Sequence, residues 1–305
     1  MDSLKLGTRA SALALAQAEF VAGGIRRNFP GLSIETVRIK TTGDNILDAP
    51  LSKIGAKSLF TKEIEEALQD GRIDLAVHSL KDLPTEVPRG LEIGAVLERQ
   101  DPRDCLVADK RTSLKELPKS AKVGTSSLRR AAQILALRPD IRIENLRGNL
   151  DTRLKKIAEG GFDAIVVALA GLARLNSNAT ASPIPFEEML PAVGQGFLGI
   201  EIRSGDAKTQ KAVAPLNDRN AWTAAMCERA FLRTLEGGCQ VPIGAFAAVE
   251  GPDIRLEGII SSLDGREHYR GKAAGAAKDC EQLGIDLAKK LLALGGGKIL
   301  ESIRN

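Results

Sequence analysis

The stretch "EGGCQVPIGAF" (236–246) sets Cys239 behind two glycines and ahead of Pro242. Gly237 and Gly238 open backbone angles closed to other residues, and the proline ends any hydrogen-bonded ladder. The thiol is therefore expected on a tight loop, where a sulfur can point into a cleft. Asp82, in "DLAVHSLKDLP" (74–84), follows an apolar run through Val77 and stands next to Lys81. Arginines occupy similar places: Arg9 two residues before Ser11, Arg129 and Arg130 just after Ser126 and Ser127, Arg147 and Arg153 in "NLRGNLDTRL", and Arg174 in "ALAGLARL". Arginine grips carboxylates and phosphates bidentately, so several of them at consecutive strand ends predict an anion-binding cleft. Among these cations Asp82 stays ionised, able to hold an N–H donor or to stabilise a developing positive charge. A turn or cap role would suit it equally.

The elements that must position these groups form a repeat. "LKLGTRASALALAQ" (4–17) and "AKVGTSSLRRAAQ" (121–133) each read as a short strand, a Gly-Thr turn, a serine and a helix. "FPGLSIETVR" (29–38) matches "RPDIRIENLR" (138–147), and "GRIDLAV" (71–77) matches "GGFDAIV" (160–166). Strand–helix–strand–helix–strand twice over predicts two doubly wound α/β units with mainly parallel sheets. Ligands of such sheets bind beyond the carboxyl ends of the strands, so two copies would face each other across a cleft. Ser126 or Ser127 is the natural N-cap of the second unit's helix. Arg129 and Arg130 in the first turn of that helix oppose its dipole unless an anion is bound. After about residue 215 the pattern changes to a long helix over "DRNAWTAAMCERAFLRTLEGG", three strand candidates ("AFAAVE", "IRLEGIISS", "EHYRGKAAG") and a helix over "CEQLGIDLAKKLLALGGG". That predicts a small α+β unit with a three-stranded antiparallel sheet.

Composition narrows the classes. The 305 residues predict two or three domains, and 3% aromatics leave a core of Leu, Ile, Val and Ala. Apolar runs fall well short of the ~18 residues a membrane span needs. Gln17 and Glu19 interrupt the N-terminal Ala/Leu stretch, which is read as an amphipathic helix rather than an export signal, and a cytoplasmic location is expected. Four scattered cysteines without a CxxC pair and two histidines argue against zinc or a disulfide framework, so no metal is expected. A net charge of +4 and the scarcity of stacking aromatics argue against a nucleic-acid partner. Cys227 reads as core, Cys280 as unremarkable and Cys105 as partly exposed. His78 is read as meeting a local hydrogen bond. "GGG" at 295–297 is read as a linker or cap.

The chain resembles the hydroxymethylbilane synthase (porphobilinogen deaminase) family. The motifs that carry the likeness run from end to end: "GTRASALALAQ", "KTTGD", "HSLKDLP", "GTSSLRR", "LRGNLDTRL", "VGQGFLGIE" and "EGGCQVPIGA". The resemblance implies two similar lobes of periplasmic-binding-protein-like form and a third domain carrying the cysteine loop. It also implies a discontinuous first domain: 1–98 with 194–214, then 99–193, then 215–305. It implies that Cys239 holds a dipyrromethane cofactor through a thioether, on which four porphobilinogen units are condensed before hydrolytic release of the linear tetrapyrrole. Asp82 matches the catalytic aspartate. Lys81, Asp82, Ser127, Arg129 and Arg130 match cofactor-binding positions, and Arg9, Ser11, Gln17, Lys57, Phe60, Arg147, Arg153 and Arg174 match substrate-binding ones. A monomer is expected. Two departures stand out. The segment that usually reads Gly-Gly-Lys-Gly-Leu-Phe is "GAKSLF" (55–60), where Ala56 and Ser58 stiffen a candidate lid. Phe197 stands where a small residue is common. A carboxylate-binding two-lobed protein is the alternative from another class, though it needs no nucleophile and usually carries an export signal.

Overall fold

The computed structural model describes residues 3–45, 60–236 and 241–304. Lys57 and Cys239 lie outside the described residues, as does most of the candidate lid. The first unit starts with strand β1 (Ser3–Thr8), helix α1 (Ala12–Asn28) and β2 (Ser33–Arg38), followed by α2 (Thr42–Asn45). It continues with α3 (Lys62–Gln69), β3 (Leu75–Ser79), a 3-10 turn (Leu80–Asp82) and β4 (Leu91–Val96). The second unit has β5 (Asp104–Val107), β6 (Lys122–Gly124), α4 (Leu128–Leu137) and β7 (Arg142–Glu144). Then come α5 (Leu150–Ala158), β8 (Ala164–Ala168), α6 (Leu169–Arg174) and β9 (Ala181–Pro183). The chain returns to the first sheet as β10 (Leu198–Arg203), followed by α7 (Ala207–Val213).

The strand orders are β2-β1-β3-β10-β4 and β7-β6-β8-β5-β9. In each sheet the first three strands are parallel, with β1 between β2 and β3 and β6 between β7 and β8. These are the strands whose repeat the sequence displays. The fourth position is antiparallel in both sheets, filled by β10 in one and by β5 in the other. Four of the five strands in each sheet therefore run the same way, as mainly parallel sheets require. Each sheet is mixed, because the strand inserted next to the inter-lobe crossings runs against its neighbours. Those crossings are residues 97–103, leading from β4 to β5, and 190–197, leading back to β10.

Leu4, Leu6, Val21, Ile25, Leu75, Leu198 and Ile200 form one buried core beneath α1, while Leu106, Val123, Ile134 and Val166 anchor the second. The third unit packs α8 (Arg219–Thr234) and α9 (Cys280–Leu291) against the antiparallel sheet β11 (Ile243–Glu250), β12 (Asp253–Ser261) and β13 (His268–Ala276). Phe231, Leu256, Ile260, Leu287 and Leu291 close that core, and a final helix α10 (Gly297–Arg304) follows a π-turn at 292–296. Gly295 in that turn has φ +131°, and a β-carbon on it would run into the hydroxyl end of Tyr269 on β13, so a side chain there would be both strained and blocked.

Cys105 is fully buried, not partly exposed. It lies in β5 between β8 and β9, and burial pushes its thiol up to about 12. Cys227 is buried on α8 as expected. Buried His78 meets Glu201 Oε2 across the β3–β10 pair at 3.0 Å. Phe197 is accommodated beneath a guanidinium, with Arg99 stacked on its ring at 4.1 Å.

Candidate active site

The site begins where β3 ends. The 3-10 turn Leu80–Asp82 carries Lys81 and Asp82 out beyond the strand's carboxyl end, leaving Asp82 exposed and Lys81 half-buried. Ser79, at the start of that turn, is tied to Gln17 of α1, whose Nε2 donates to the serine Oγ at 2.9 Å. Gln17 thus braces the turn from below. Ser11 caps α1 by accepting from Ala14 N at 3.3 Å, and the guanidinium of Arg9 stacks on the Phe60 ring at 4.3 Å.

In the second lobe Ser127 is the N-cap of α4, its Oγ accepting from Arg130 N at 3.4 Å. The two arginines of the first turn, both about 5% exposed, converge on a carboxylate absent from the sequence-based set. Asp104, fully buried at the start of β5, accepts from Arg129 Nη1 at 2.7 Å and from Arg130 Nε and Nη2 at 3.0 and 2.8 Å. The anion that two guanidiniums at a helix N-terminus require is therefore supplied by the protein itself. These contacts hold the Asp104 carboxyl far below the usual range despite its burial. Arg129 Nη1 also donates to Leu190 O, and Arg130 Nη1 to Val166 O.

The lobes meet at this cluster. Burial lowers the Lys81 amine to about 8, opposed by Asp82 and Asp104 and assisted by Arg130 and Arg129. Arg153 on α5 is lowered to about 10, mainly by burial, and feels Arg130, Asp82 and Arg147; its Nε donates to Gly148 O at 2.8 Å. Lys81, Asp82, Arg129, Arg130, Arg147 and Arg153 thus form one electrostatic neighbourhood, with Asp104 beneath it. Arg174 sits elsewhere. It ends α6, donates from Nη2 to Gly196 O at 2.9 Å, and lines a cavity of about 370 Å³ beside the 97–103 crossing with Phe20, Arg27 and Arg99. Burial lowers its guanidinium to about 10.

Two further polar residues escaped the sequence reading. Glu228 on α8, fully buried, accepts from both Arg99 Nη1 and Nη2 and from the backbone N–H groups of Gly194 and Ala247. It joins both inter-lobe crossings to the third unit. Gln195, 1% exposed, lies between Lys81 and Asp104. Gln195 is one polar residue between two glycines and Glu228 one carboxylate on an otherwise apolar helix face, so neither stood out.

A cleft between two α/β lobes that gathers guanidiniums and an ammonium around one exposed carboxylate defines a protein for a polycarboxylate ligand, with an acidic group able to act on it. The family follows from comparison. Residues 4–211 match the model of the porphobilinogen deaminase dipyromethane cofactor binding domain and residues 222–293 that of the porphobilinogen deaminase C-terminal domain. The chain belongs to the porphobilinogen deaminase family, transferases of tetrapyrrole assembly. A porphobilinogen deaminase of Moorella thermoacetica is 52% identical over 305 residues, covering 100% of this chain and 97% of that one. One of Pelotomaculum thermopropionicum is 51% identical over 302 residues, covering 99% and 97%. A periplasmic substrate-binding protein of an ABC transporter from Coxiella burnetii aligns at a TM-score of 0.45 and 15% identity, covering 71% of this chain and 92% of that one. At that distance the likeness carries no argument.

The residues present fit the family's dipyrromethane cofactor, a short chain of pyrroles bearing carboxylates. Lys81 donates to a neutral amide, so its charge is available to an anion. Arg129 Nε is a buried donor with no acceptor among the described residues. Around the exposed Asp82 the set is otherwise cationic. Among the described residues no cluster of His, Cys, Asp or Glu could hold a metal ion, and no helix is long and apolar enough to cross a membrane.

Proposed function

We propose that this chain condenses four porphobilinogen molecules head to tail, with loss of ammonia, onto a dipyrromethane held as a thioether by Cys239, and then releases the linear tetrapyrrole by hydrolysis. The observation that carries the reading is Asp82, exposed at the mouth of β3 among Lys81, Arg130 and Arg153. Porphobilinogen must lose its amine as ammonia, leaving an electrophilic methylene on a positively charged pyrrole. A fixed carboxylate stabilises that developing cation and accepts the pyrrole N–H. Among the described residues of the cluster no other group could do so, because Asp104 is saturated by donors.

The cofactor, when bound, would supply the free pyrrole carbon that takes the first unit, each later unit joining the one before it. The cations do the rest. Lys81, Ser127, Arg129 and Arg130 hold the carboxylates of the primer, while Arg9, Ser11, Gln17, Lys57, Phe60, Arg147, Arg153 and Arg174 receive the substrate and the lengthening chain. Ser11 and Ser127 do this as helix caps and Gln17 as a brace on the turn of Asp82. The thiolate of Cys239 is the natural trap for an electrophilic methylene.

The reading includes three domains (1–98 with 194–214, 99–193 and 215–305) in a cytoplasmic monomer with a small-molecule substrate and no nucleic-acid partner. The test is release of ammonia and tetrapyrrole from porphobilinogen, wild type beside Asp82→Asn. Turnover by the wild type and its near loss in the variant are expected; equal turnover by both would refute the role of Asp82.

A further inference from the structure

We propose that Gln195 is a positioning residue of this reaction, fixing the Lys81 ammonium beside Asp82 without neutralising it. The proposal rests on the functional reading above for its consequences but on geometry for its substance. The crossing from the second lobe to β10 passes so close to the Lys81 turn that a β-carbon at Gly194 would lie 3.0 Å from Lys81 N and 3.1 Å from Leu80 C. Gly194 and Gly196 both have positive φ, +77° and +92°, and a β-carbon on Gly196 would collide with Gln100 O. A side chain at either position would be strained and blocked, so the two glycines let the crossing pass this close to the turn and bring Gln195 to Lys81.

Every polar group of Gln195 is then engaged. Its backbone N–H donates to Ala192 O at 2.9 Å, and its carbonyl accepts from Arg99 Nε at 3.0 Å. Nε2 donates to Pro102 O at 2.8 Å and to Asp104 Oδ1 at 2.9 Å, and Oε1 accepts from Lys81 Nζ at 3.2 Å. The amide cannot flip, because an ammonium has no lone pair to accept from Nε2 and a carboxylate has no proton to give Oε1. Asp104 also polarises the amide and so strengthens the acceptor that Lys81 meets.

The choice of a neutral partner is the functional point. Arg129 and Arg130 are held by a carboxylate, which fixes them but offsets their charge. Lys81 is held by an amide, which fixes it and leaves its charge for a ligand carboxylate. The groups that face its ammonium are Asp82 on its own turn, Asp104 on β5, and Arg129 and Arg130 on α4. Glutamate at 195 would hold the lysine yet cancel it; methionine would match the length and shape but release it.

The test compares wild type, Gln195→Met and Gln195→Glu by two readouts. The first is the titration of the Lys81 amine by NMR on lysine-labelled protein, with Lys81→Arg assigning the signal. The amine should titrate near 8 in the wild type, roughly one pH unit lower in the Met variant and roughly one unit higher in the Glu variant. The second is turnover of porphobilinogen at neutral pH, expected to fall roughly tenfold in each variant, with the alkaline limb of the rate profile moving down in one and up in the other. A merely structural glutamine would not move that limb in opposite directions. A Lys81 titration unchanged in both variants would overturn the proposal. If instead the titrations shift as expected but the wild type turns over no porphobilinogen, the functional reading fails and the placement of Lys81 by Gln195 stands.

Discussion

Replacing Asp104 by Asn should be among the most damaging single changes in the second lobe. The substitution keeps the shape and removes one charge. Asp104 is fully buried and receives the guanidiniums of Arg129 and Arg130, each about 5% exposed, together with the Gln195 amide. Asparagine would offer one acceptor oxygen where two stood and would turn an NH₂ towards the guanidiniums. Two buried cations would lose their counter-charge. Breaking a buried pair by removing one partner costs about 3–5 kcal/mol. For the two lobes melting together that lowers the melting temperature by roughly 6–20 °C. The assay is thermal unfolding followed by circular dichroism from pH 5 to 8. Because the folded carboxyl titrates below its unfolded value, its stabilisation is fully present above the unfolded range near pH 4 and is lost only on acidification below it. The gap between wild type and variant should therefore be constant from pH 5 to 8. A variant melting within about 1 °C of the wild type would refute the view that Asp104 is the anion the arginine pair requires.

Other outcomes follow from the same structure. Glu228→Gln should destabilise by about 3 kcal/mol, because Arg99 and the N–H groups of Gly194 and Ala247 all rely on that carboxylate; urea unfolding reads this directly. Glu65→Gln should have the opposite sign. Burial raises the Glu65 carboxyl, so the folded state holds its proton more tightly, and the ionised side chain weakens the fold as pH rises; the variant should lose less stability than wild type between pH 5 and 8 in the same melts. Cys105 should resist alkylation in native protein at pH 8, since its thiol is buried and pushed up to about 12, and should react once the chain is unfolded in urea.

The repeated half-units were legible because three kinds of local signal coincide at each copy: an apolar strand, a Gly-Thr turn and a capped helix. Ser127 appeared among the two candidate caps for that reason. The antiparallel strands β5 and β10 were not legible from periodicity, since what places them is pairing across the sheet and not their own residues. The return of the chain near "GQGFLGIE" came from the family resemblance. Lys81, Asp82 and the arginines could be singled out as charges at strand ends, but their partners could not. Asp104 sits in "DPRD", which reads as a turn; Gln195 is one polar residue between glycines; and Glu228 occupies an otherwise apolar face of α8. Each matters because of a contact with a residue far away in the chain. The error over Cys105 has the same origin, because the neighbours β8 and β9 that bury it lie some 60 to 80 positions further on.

The central claim is that Cys239 carries the primer on which the chain is built. The most direct test is the intact mass of the denatured protein, wild type beside Cys239→Ser, before and after incubation with porphobilinogen. The account predicts an excess equal to two pyrrole units on the wild type and none on the variant. An unmodified wild type after incubation, or the same adduct on the serine variant, would contradict it.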